Sequence, residues 1–265
     1  MSDARRPEWQ LPRGVPRGAW EYARAQHIAE EYDEYFAVSP LFEFDEQVLA
    51  KHFVRPGLVV DLGAGTGRSL VPLARRGFCG LAVDLSPHML RIVCEKAALE
   101  NLRIWMLCAN LVDLDCLRDA CADYVMCLFS TIGMVHGRDN RRRVLEHAYR
   151  ILKPDGLLVL HVHNFWYELF SWVGRRYLVR HFWECLTHRN LECGDKFFDY
   201  RGIPRMYLHT FGERELLRAV CQVGFHLQEL IRLDARRQRS LRHPWFFGSL
   251  RANGWILVCR KGGDP

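Results

Sequence analysis

The chain has 265 residues, of which 49% are apolar, so it can bury the core of one sizeable domain with insertions. Its formal charge of +6 is modest, and arginine supplies most of the positive residues. This charge alone does not indicate a binding partner. No apolar run approaches the ~20 residues of a membrane-spanning helix, and the first residues lack the apolar core of a signal peptide, so we expect neither membrane insertion nor secretion. Several of the ten cysteines, such as Cys127 and Cys259, stand in apolar runs, which favours free thiols and a reduced, cytoplasmic protein.

The beginning of the chain has two different compositions. Residues 1–18 contain three prolines and two glycines without apolar periodicity, which predicts a flexible tail. From Trp20 to His52, aromatic and aliphatic residues recur at helical spacing among acidic ones, which predicts two short helices. We therefore expect a single domain over residues 19–265.

Strand-like and helix-like segments then alternate along the chain. Strands are predicted at 58–62, 81–84, 102–107, 123–129 and 157–162, and helices up to Arg76, at 86–99 and at 140–152. Such alternation is typical of βαβ units, in which a parallel sheet is covered by helices on both faces. The core of the domain is therefore predicted over residues 57–164.

The pattern breaks after Asn164. Residues 165–210 are dense in aromatic residues and arginines, which we interpret as an insertion that covers the active edge of the sheet. A helix at 213–223, a strand from Phe225, an arginine-rich loop at 236–243 and a last strand at 255–259 are predicted to complete the domain at 211–262.

The strongest motif is a glycine-rich turn after the first strand. Val59, Val60 and Asp61 lead into Gly63-Ala64-Gly65-Thr66-Gly67, a turn in which glycine lets the backbone approach a ligand at the start of the next helix. A second strand ends at Asp84, about twenty residues later, where a carboxylate would accept both hydroxyls of a ribose. A dinucleotide fingerprint would need a glycine at the position of Arg68, so a nicotinamide-dependent oxidoreductase is disfavoured. The alternative is an ordinary turn, with Asp84 as a helix cap.

These residues resemble the class I S-adenosylmethionine (SAM)-dependent methyltransferases. The first motif of that family has the form of Asp61 to Gly67, and the second is similar to Val83-Asp84-Leu85-Ser86. The resemblance implies a three-layer αβα sandwich with a mostly parallel seven-stranded sheet whose last strand is antiparallel. Asn110 stands where the family usually has an aspartate, although its carbonyl can still accept a hydrogen bond. The resemblance implies that the cofactor SAM is bound by Asp61, Gly63, Ala64, Gly65, Thr66, Gly67, Asp84, Leu85, Asn110, Leu111, Leu128 and Ser130.

Methyl transfer needs alignment more than a dedicated catalytic group, because the cofactor carries the reactivity. If a base is used, the candidates are His163 and then His161, which alternation places on the same side of the fifth strand. The alternative is that both are structural histidines. His209 and Asn253 are weaker candidates for substrate contact. The fourth strand lacks the motifs of the exocyclic-amine and cytosine-C5 DNA methyltransferases, and no metal is expected.

Other features leave the methyl acceptor open. His181, Cys185, His188 and Cys193 are metal-ligand types, but their spacing matches no familiar zinc template. Residues 165–205 could form a stacking surface for RNA or simply pack on the sheet. Residues 206–216 and 253–255 faintly resemble tRNA wobble-uridine carboxymethyl methyltransferases. The sequence predicts first a small-molecule O- or N-methyltransferase, second a tRNA methyltransferase, and as another class a non-catalytic SAM- or RNA-binding module.

Overall fold

The computed structural model describes residues 6–36, 43–187 and 191–262. Seven strands form one sheet in the order β3-β2-β1-β4-β5-β9-β8, and a separate hairpin pairs β6 with β7. The first five strands of the large sheet pair in parallel, whereas β9 runs antiparallel between β5 and β8. The predicted αβα sandwich with an antiparallel last strand is confirmed. The strands are β1 Leu58–Leu62, β2 Cys79–Asp84, β3 Ile104–Cys108, β4 Ala122–Cys127, β5 Leu152–His163, β6 Asp195–Tyr200, β7 Ile203–His209, β8 Phe225–Arg232 and β9 Gly254–Lys261.

Ten α-helices accompany these strands within the described residues. None of them is both long enough and apolar enough to cross a membrane. The helices are α1 Arg17–Arg24, α2 Gln26–Glu30, α3 Tyr32–Tyr35, α4 Glu43–His52, α5 Leu70–Arg75, α6 Pro87–Leu99, α7 Arg138–Ile151, α8 Trp172–Thr187, α9 Glu213–Val223 and α10 Gly248–Arg251.

The central strands are apolar on both faces, which is why they form the middle of the sandwich. Alternate residues of β1 illustrate this, because Val60 and Leu62 pack into one core while Val59 packs into the other. The first core includes Leu145 of α7, and the second includes Leu70 of α5. Burial of both faces fixes the register of the strands, and it thereby places their carboxyl ends along one edge.

The N-terminal region differs from its prediction. Four short helices, α1 to α4, replace the two that the aromatic spacing predicted. The described part of the predicted flexible tail also makes specific contacts: the Gly14 carbonyl accepts the backbone N–H of His136, and the Arg13 carbonyl accepts the side-chain amide of Asn110. Prolines and glycines shape the turns of residues 11–16, which we call the strap. The strap is ordered because its polar backbone groups form hydrogen bonds at the edge of the sheet.

The insertion after β5 consists of a 3-10 helix at Phe165–Phe170, the helix α8 and the hairpin β6–β7. The hairpin packs against α1, and a small third core joins them to α6 through Ile28, Met89, Ile203 and Met206. Gly18 of α1 permits this contact, because a Cβ atom there would lie 2.6 Å from the Arg205 carbonyl oxygen. The N-terminal helices and the hairpin, which are far apart in sequence, thus form one layer.

Candidate active site

The glycine turn after β1 is shaped by two distinct demands. Gly63 has φ +85°, and a Cβ atom there would lie 2.2 Å from the Thr131 methyl carbon, so the 3-10 helix after β4 excludes any side chain. Gly65 has φ +54°, and a Cβ atom there would meet nothing within 4 Å. Its backbone faces open cavity, as expected where a ligand approaches the main chain.

Asp84, at the end of β2, lines the same cavity and braces the turn. The Gly65 N–H donates to Asp84 Oδ2 at 2.8 Å, and the Ser86 N–H donates to Oδ1, also at 2.8 Å. Burial raises the pKa of the Asp84 carboxyl, and these backbone hydrogen bonds oppose part of that rise. A carboxylate has about four lone-pair sites, so roughly two remain for the hydroxyl groups of a ligand.

Asp61 adds a second acidic group to the cavity. It is 4% exposed, and burial together with the neighbouring charge of Asp84 raises its pKa to about 8. Within the described residues, neither Asp61 nor Asp84 has a basic side chain within salt-bridge distance. A partly buried acidic pair of this kind favours a cationic ligand, because a positive charge would keep both carboxylates ionised.

The third part of the predicted cofactor set follows β3. Leu85, Asn110 and Leu111 line the cavity together with Gly14 of the N-terminal strap. The Asn110 side-chain amide donates to the Arg13 carbonyl at 2.9 Å and to Asp113, while its carbonyl oxygen accepts the Val112 N–H at 3.3 Å. Asn110 thus ties the strap to the sheet edge, and its carbonyl retains a second lone pair for a ligand.

Several predicted cofactor residues lie beside the cavity and not on its wall. The Thr66 hydroxyl is fully buried and donates to Asp33 Oδ1 at 2.6 Å, and Gly67 packs against Val93 of α6. The buried Ser130 accepts a hydrogen bond from the His163 backbone N–H at 3.3 Å. These residues support the turn and strand ends, whereas the predicted residues on the wall are Asp61, Gly63, Ala64, Gly65, Asp84, Leu85, Asn110, Leu111 and Leu128.

The two candidate bases have different surroundings. His161 is 1% exposed, and its Nδ1 lies 2.8 Å from Asp45 Oδ2, so it belongs to a buried pair behind the cavity wall. His163 lines the cavity, and its Nε2 lies 2.5 Å from Arg237 Nη1. Because a guanidinium can only donate, Nε2 of His163 must accept, and the ring proton therefore stands on Nδ1. In this arrangement neither nitrogen of His163 offers a lone pair to an incoming proton.

His209 and Asn253, the weaker candidates for substrate contact, form hydrogen bonds that hold the fold together. His209 is fully buried and lies between Asp195 Oδ1 at 2.8 Å and Glu215 Oε1 at 3.0 Å, which joins the hairpin to α9. The Asn253 side-chain amide donates to the Ala235 carbonyl at 2.7 Å.

Two groups of metal-ligand side chains lie elsewhere in the described residues. Of the four histidines and cysteines singled out in the sequence, His181 and Cys185 are 3.5 Å apart, whereas His188 lies outside the described residues. Glu192, His209 and Glu215 also converge, but Arg141 pairs with Glu192 at 2.5 Å and already supplies a cation there.

Sequence reasoning missed the opposite wall of the cavity. We call this wall the roof, and it consists of Tyr22, Tyr32, Phe198, Tyr200 and Met206. The only signal for it was the aromatic spacing of the N-terminal helices and the aromatic content of the insertion. Among the described residues, the hydroxyls of the three roof tyrosines have no hydrogen-bond partner, so they remain available to a ligand.

The end of β4 provides one more missed feature. Phe129 and Ser130 have φ values of +53° and +64°, which side-chain-bearing residues seldom adopt, and β4 therefore ends at Cys127, two residues before the predicted end. Backbone strain of this kind concentrates at functional sites. Here it turns the Phe129 ring into the cavity next to His163, with the ring centroids 6.3 Å apart.

The cavity has a volume of about 320 Å³ and combines an acidic, glycine-lined floor with an aromatic roof. Comparison with known proteins matches residues 59–156 to the family described as methyltransferase domain. The chain is 32% identical over 116 residues to a candidate methyltransferase of Geobacillus sp. (strain WCH70), covering 43% of this chain and 46% of that protein. It is 24% identical over 198 residues to a tRNA N(3)-methylcytidine methyltransferase of Drosophila melanogaster, covering 71% of this chain and 56% of that protein. The chain thus spans about half the length of these relatives.

A solved structure extends the similarity beyond the matched core. The Burkholderia thailandensis 1,6-didemethyltoxoflavin-N1-methyltransferase, with 1,6-didemethyltoxoflavin and S-adenosylhomocysteine bound, shares the fold at a TM-score of 0.60. The two sequences are 18% identical, and the similarity covers 96% of this chain and 93% of the other. Residues 59–156 thus match the methyltransferase domain family, and the strand order together with the solved structure shows that the chain has the class I, Rossmann-like methyltransferase fold.

Proposed function

We propose that the protein transfers a methyl group from SAM to an oxygen or nitrogen atom of a small molecule. The observation that carries this proposal is a cavity in which an acidic, glycine-lined floor faces an aromatic roof. The floor consists of Asp61, Gly63, Gly65, Asp84, Leu85, Asn110 and Leu111, which lie at the carboxyl ends of three neighbouring parallel strands. Ligands of such sheets bind outside the carboxyl ends of the strands.

The chemistry of the floor fits SAM. Asp84 would accept the ribose hydroxyls, Leu85 and Leu111 would pack on the adenine, and Asp61 would balance the positive charge of the cofactor. Gly65 leaves the space that a side chain would fill. When bound, SAM supplies a methyl group on a positively charged sulfur that departs as a neutral thioether.

The residues of the chain contribute alignment and exclusion of water. The roof comes from α1, α3 and the hairpin, and together with the strap it encloses the cavity on the side opposite the floor. An aromatic chamber of this kind can position two reactants and reduce the water that competes for the methyl group. Pockets for small molecules are lined mainly by apolar and aromatic side chains, as the roof is, which supports a small-molecule substrate.

A tRNA substrate is the second candidate. It is supported by the Drosophila relative and by α8, where Trp172 and Trp183 are 79% and 70% exposed beside the exposed residues Arg175, Arg176 and Arg180. Exposed aromatic rings and guanidinium groups can stack on bases and contact phosphates. The similarity of residues 206–216 and 253–255 to wobble-uridine enzymes stays a prediction.

Two measurements test the proposal in sequence. Calorimetry with SAM, S-adenosylhomocysteine and NAD should detect binding of the first two only, and binding of NAD alone would overturn the proposal. Methyl label from SAM is then followed into cell extract separated into small molecules, RNA and protein. Label in the small-molecule fraction supports the first candidate, and label in tRNA supports the second. Tight SAM binding without any transfer would instead indicate a non-catalytic SAM-binding module.

A further inference from the structure

The cavity has a distinct aromatic end beside the end of β4, which we call the acceptor end. It consists of Phe36, Phe129 and His163. The rings of Phe36 and Phe129 meet edge to face with their centroids 5.7 Å apart. Guanidinium groups lie over both rings, Arg68 at 5.8 Å from the Phe36 centroid and Arg237 at 5.9 Å from that of Phe129. Such surroundings favour a flat ring that carries negative charge.

His163 is prepared as a hydrogen-bond donor at this end. Burial, and then the charge of Arg237, lower its pKa well below the usual range, so the ring is neutral. Since Arg237 donates to Nε2, the remaining proton is on Nδ1, which has no hydrogen-bond partner among the described residues. The guanidinium on one nitrogen polarises the ring and strengthens the N–H on the other, because hydrogen bonds in a chain reinforce each other.

The charge of Arg237 is not balanced by a neighbouring carboxylate. Within residues 6–36, 43–187 and 191–262, no acidic oxygen lies within 4.0 Å of its guanidinium, and its Nε is buried without a partner. The charged and titratable groups around the Arg237–His163 pair are Asp45, His161, Tyr167 and Lys196. Asp45 is already paired with His161, and Lys196 with Glu168. A partly buried cation without a counter-ion favours binding of an anion.

We propose that the methyl acceptor is an acidic aromatic hydroxyl, a phenol or a related enol, held as its oxygen anion by the Nδ1–H of His163 with Arg237 behind it. This inference rests on the proposed methyl transfer. The hydroxyl proton leaves to bulk water when the acceptor binds. An oxygen lone pair then forms the new C–O bond while the methyl–sulfur bond breaks, and that electron pair stays on sulfur. Arg237 acts through His163 and is therefore a positioning residue.

This arrangement explains why the site needs no general base. A positive charge within about 4–6 Å lowers the pKa of an acidic group by roughly one to three units. Arg237 contacts the acceptor only through His163, so its effect should lie at the lower end of this range. The bound anion should then be favoured over the neutral hydroxyl by about tenfold. The nucleophile is then generated on binding, and a base such as His161 is not required.

The test uses 4-nitrophenol, whose anion is coloured, with the cofactor-free protein. Visible absorbance is followed against pH with the probe bound to the wild type, to Arg237→Gln, to Arg237→Lys and to Arg236→Gln. The last variant is the matched control, because Arg236 is the adjacent, exposed arginine of the same loop. Calorimetric SAM binding by each variant, together with its thermal melting, reports whether the fold and the cofactor site are intact.

We expect the wild type and Arg236→Gln to lower the apparent pKa of the bound probe by about one unit. Arg237→Gln should abolish the shift, and Arg237→Lys should retain part of it because it keeps the charge. Failure of the wild type to bind the probe at millimolar concentration, or an equal shift in Arg237→Gln, would overturn the inference while leaving SAM binding untouched. Absence of SAM binding by the wild type would instead overturn the proposed function. Transfer of labelled methyl only to tRNA would also overturn the inference.

Discussion

Replacement of Asp84 is the sharpest test of the cofactor site. Its two carboxylate oxygens each accept a backbone N–H at 2.8 Å, from Gly65 and from Ser86, and still face the cavity. Asp84→Asn keeps the shape of the side chain, but the amide nitrogen turns one acceptor into a donor and removes the negative charge. Hydrogen bonds to a charged acceptor contribute about 1.5–3 kcal/mol each, so the loss of one should weaken SAM binding by roughly tenfold to about 150-fold.

Isothermal titration calorimetry at a fixed pH measures this change directly. The matched control is Asp155→Asn, because Asp155 is an exposed aspartate in the turn before the apolar part of β5, at the opposite edge of the sheet. Its φ of +63° is one that asparagine also tolerates. The control should bind SAM as the wild type does. If Asp84→Asn melts normally and binds SAM with unchanged affinity, the assignment of Asp84 to the ribose is refuted.

Three further predictions follow from buried groups and from the turn. Because the pKa of Asp61 is about 8, SAM affinity should fall by about tenfold per pH unit as the pH drops below that value, and Asp61→Asn should remove this dependence in calorimetric titrations. Burial alone would lower the pKa of His209, but its hydrogen bonds to Asp195 and Glu215 outweigh burial and raise it. The stability contributed by His209 is therefore fully present below about pH 6.5 and is lost as the pH rises through the raised value. Thermal melting between pH 5.5 and 9 should show this loss in the wild type but not in His209→Gln, and identical profiles would contradict the assignment. Gly63→Ala combines a left-handed backbone with a 2.2 Å clash and should destabilise the fold by about 2–5 kcal/mol. Gly202→Ala, at φ +82° but in open space, should cost only about 1–2 kcal/mol in urea unfolding, and equal effects would show that Thr131 does not restrict Gly63.

The floor of the site could be predicted from the sequence because its determinants are local. The turn from Gly63 to Gly67 and the strand that ends at Asp84 each carry their own signal within a few residues. The alternation of strands and helices then predicts that their carboxyl ends share one edge. Helix α9 was predicted at its observed bounds, Glu213–Val223, because Gly212 and Gly224 flank a strongly periodic segment.

The roof and the acceptor end could not be predicted in this way, since they depend on contacts between distant segments. Tyr22 and Tyr200 come from opposite sides of the matched core, and only the tertiary packing of α1 on the hairpin brings their rings to 6.1 Å. The same holds for His163. Its position at the end of β5 predicted a general base. The position of its proton is instead set by Arg237, which lies 74 residues later in the chain, and no local sequence pattern links the two residues.

The separation of floor and roof along the chain has an evolutionary consequence. The floor lies within residues 59–156, the stretch that matches the methyltransferase family, whereas the roof is built from segments before and after it. Substitutions in α1, α3 or the hairpin can therefore reshape the chamber without altering the glycine turn of the matched core. In a methyltransferase with this architecture, the shape of the acceptor chamber can change while the cofactor floor stays the same.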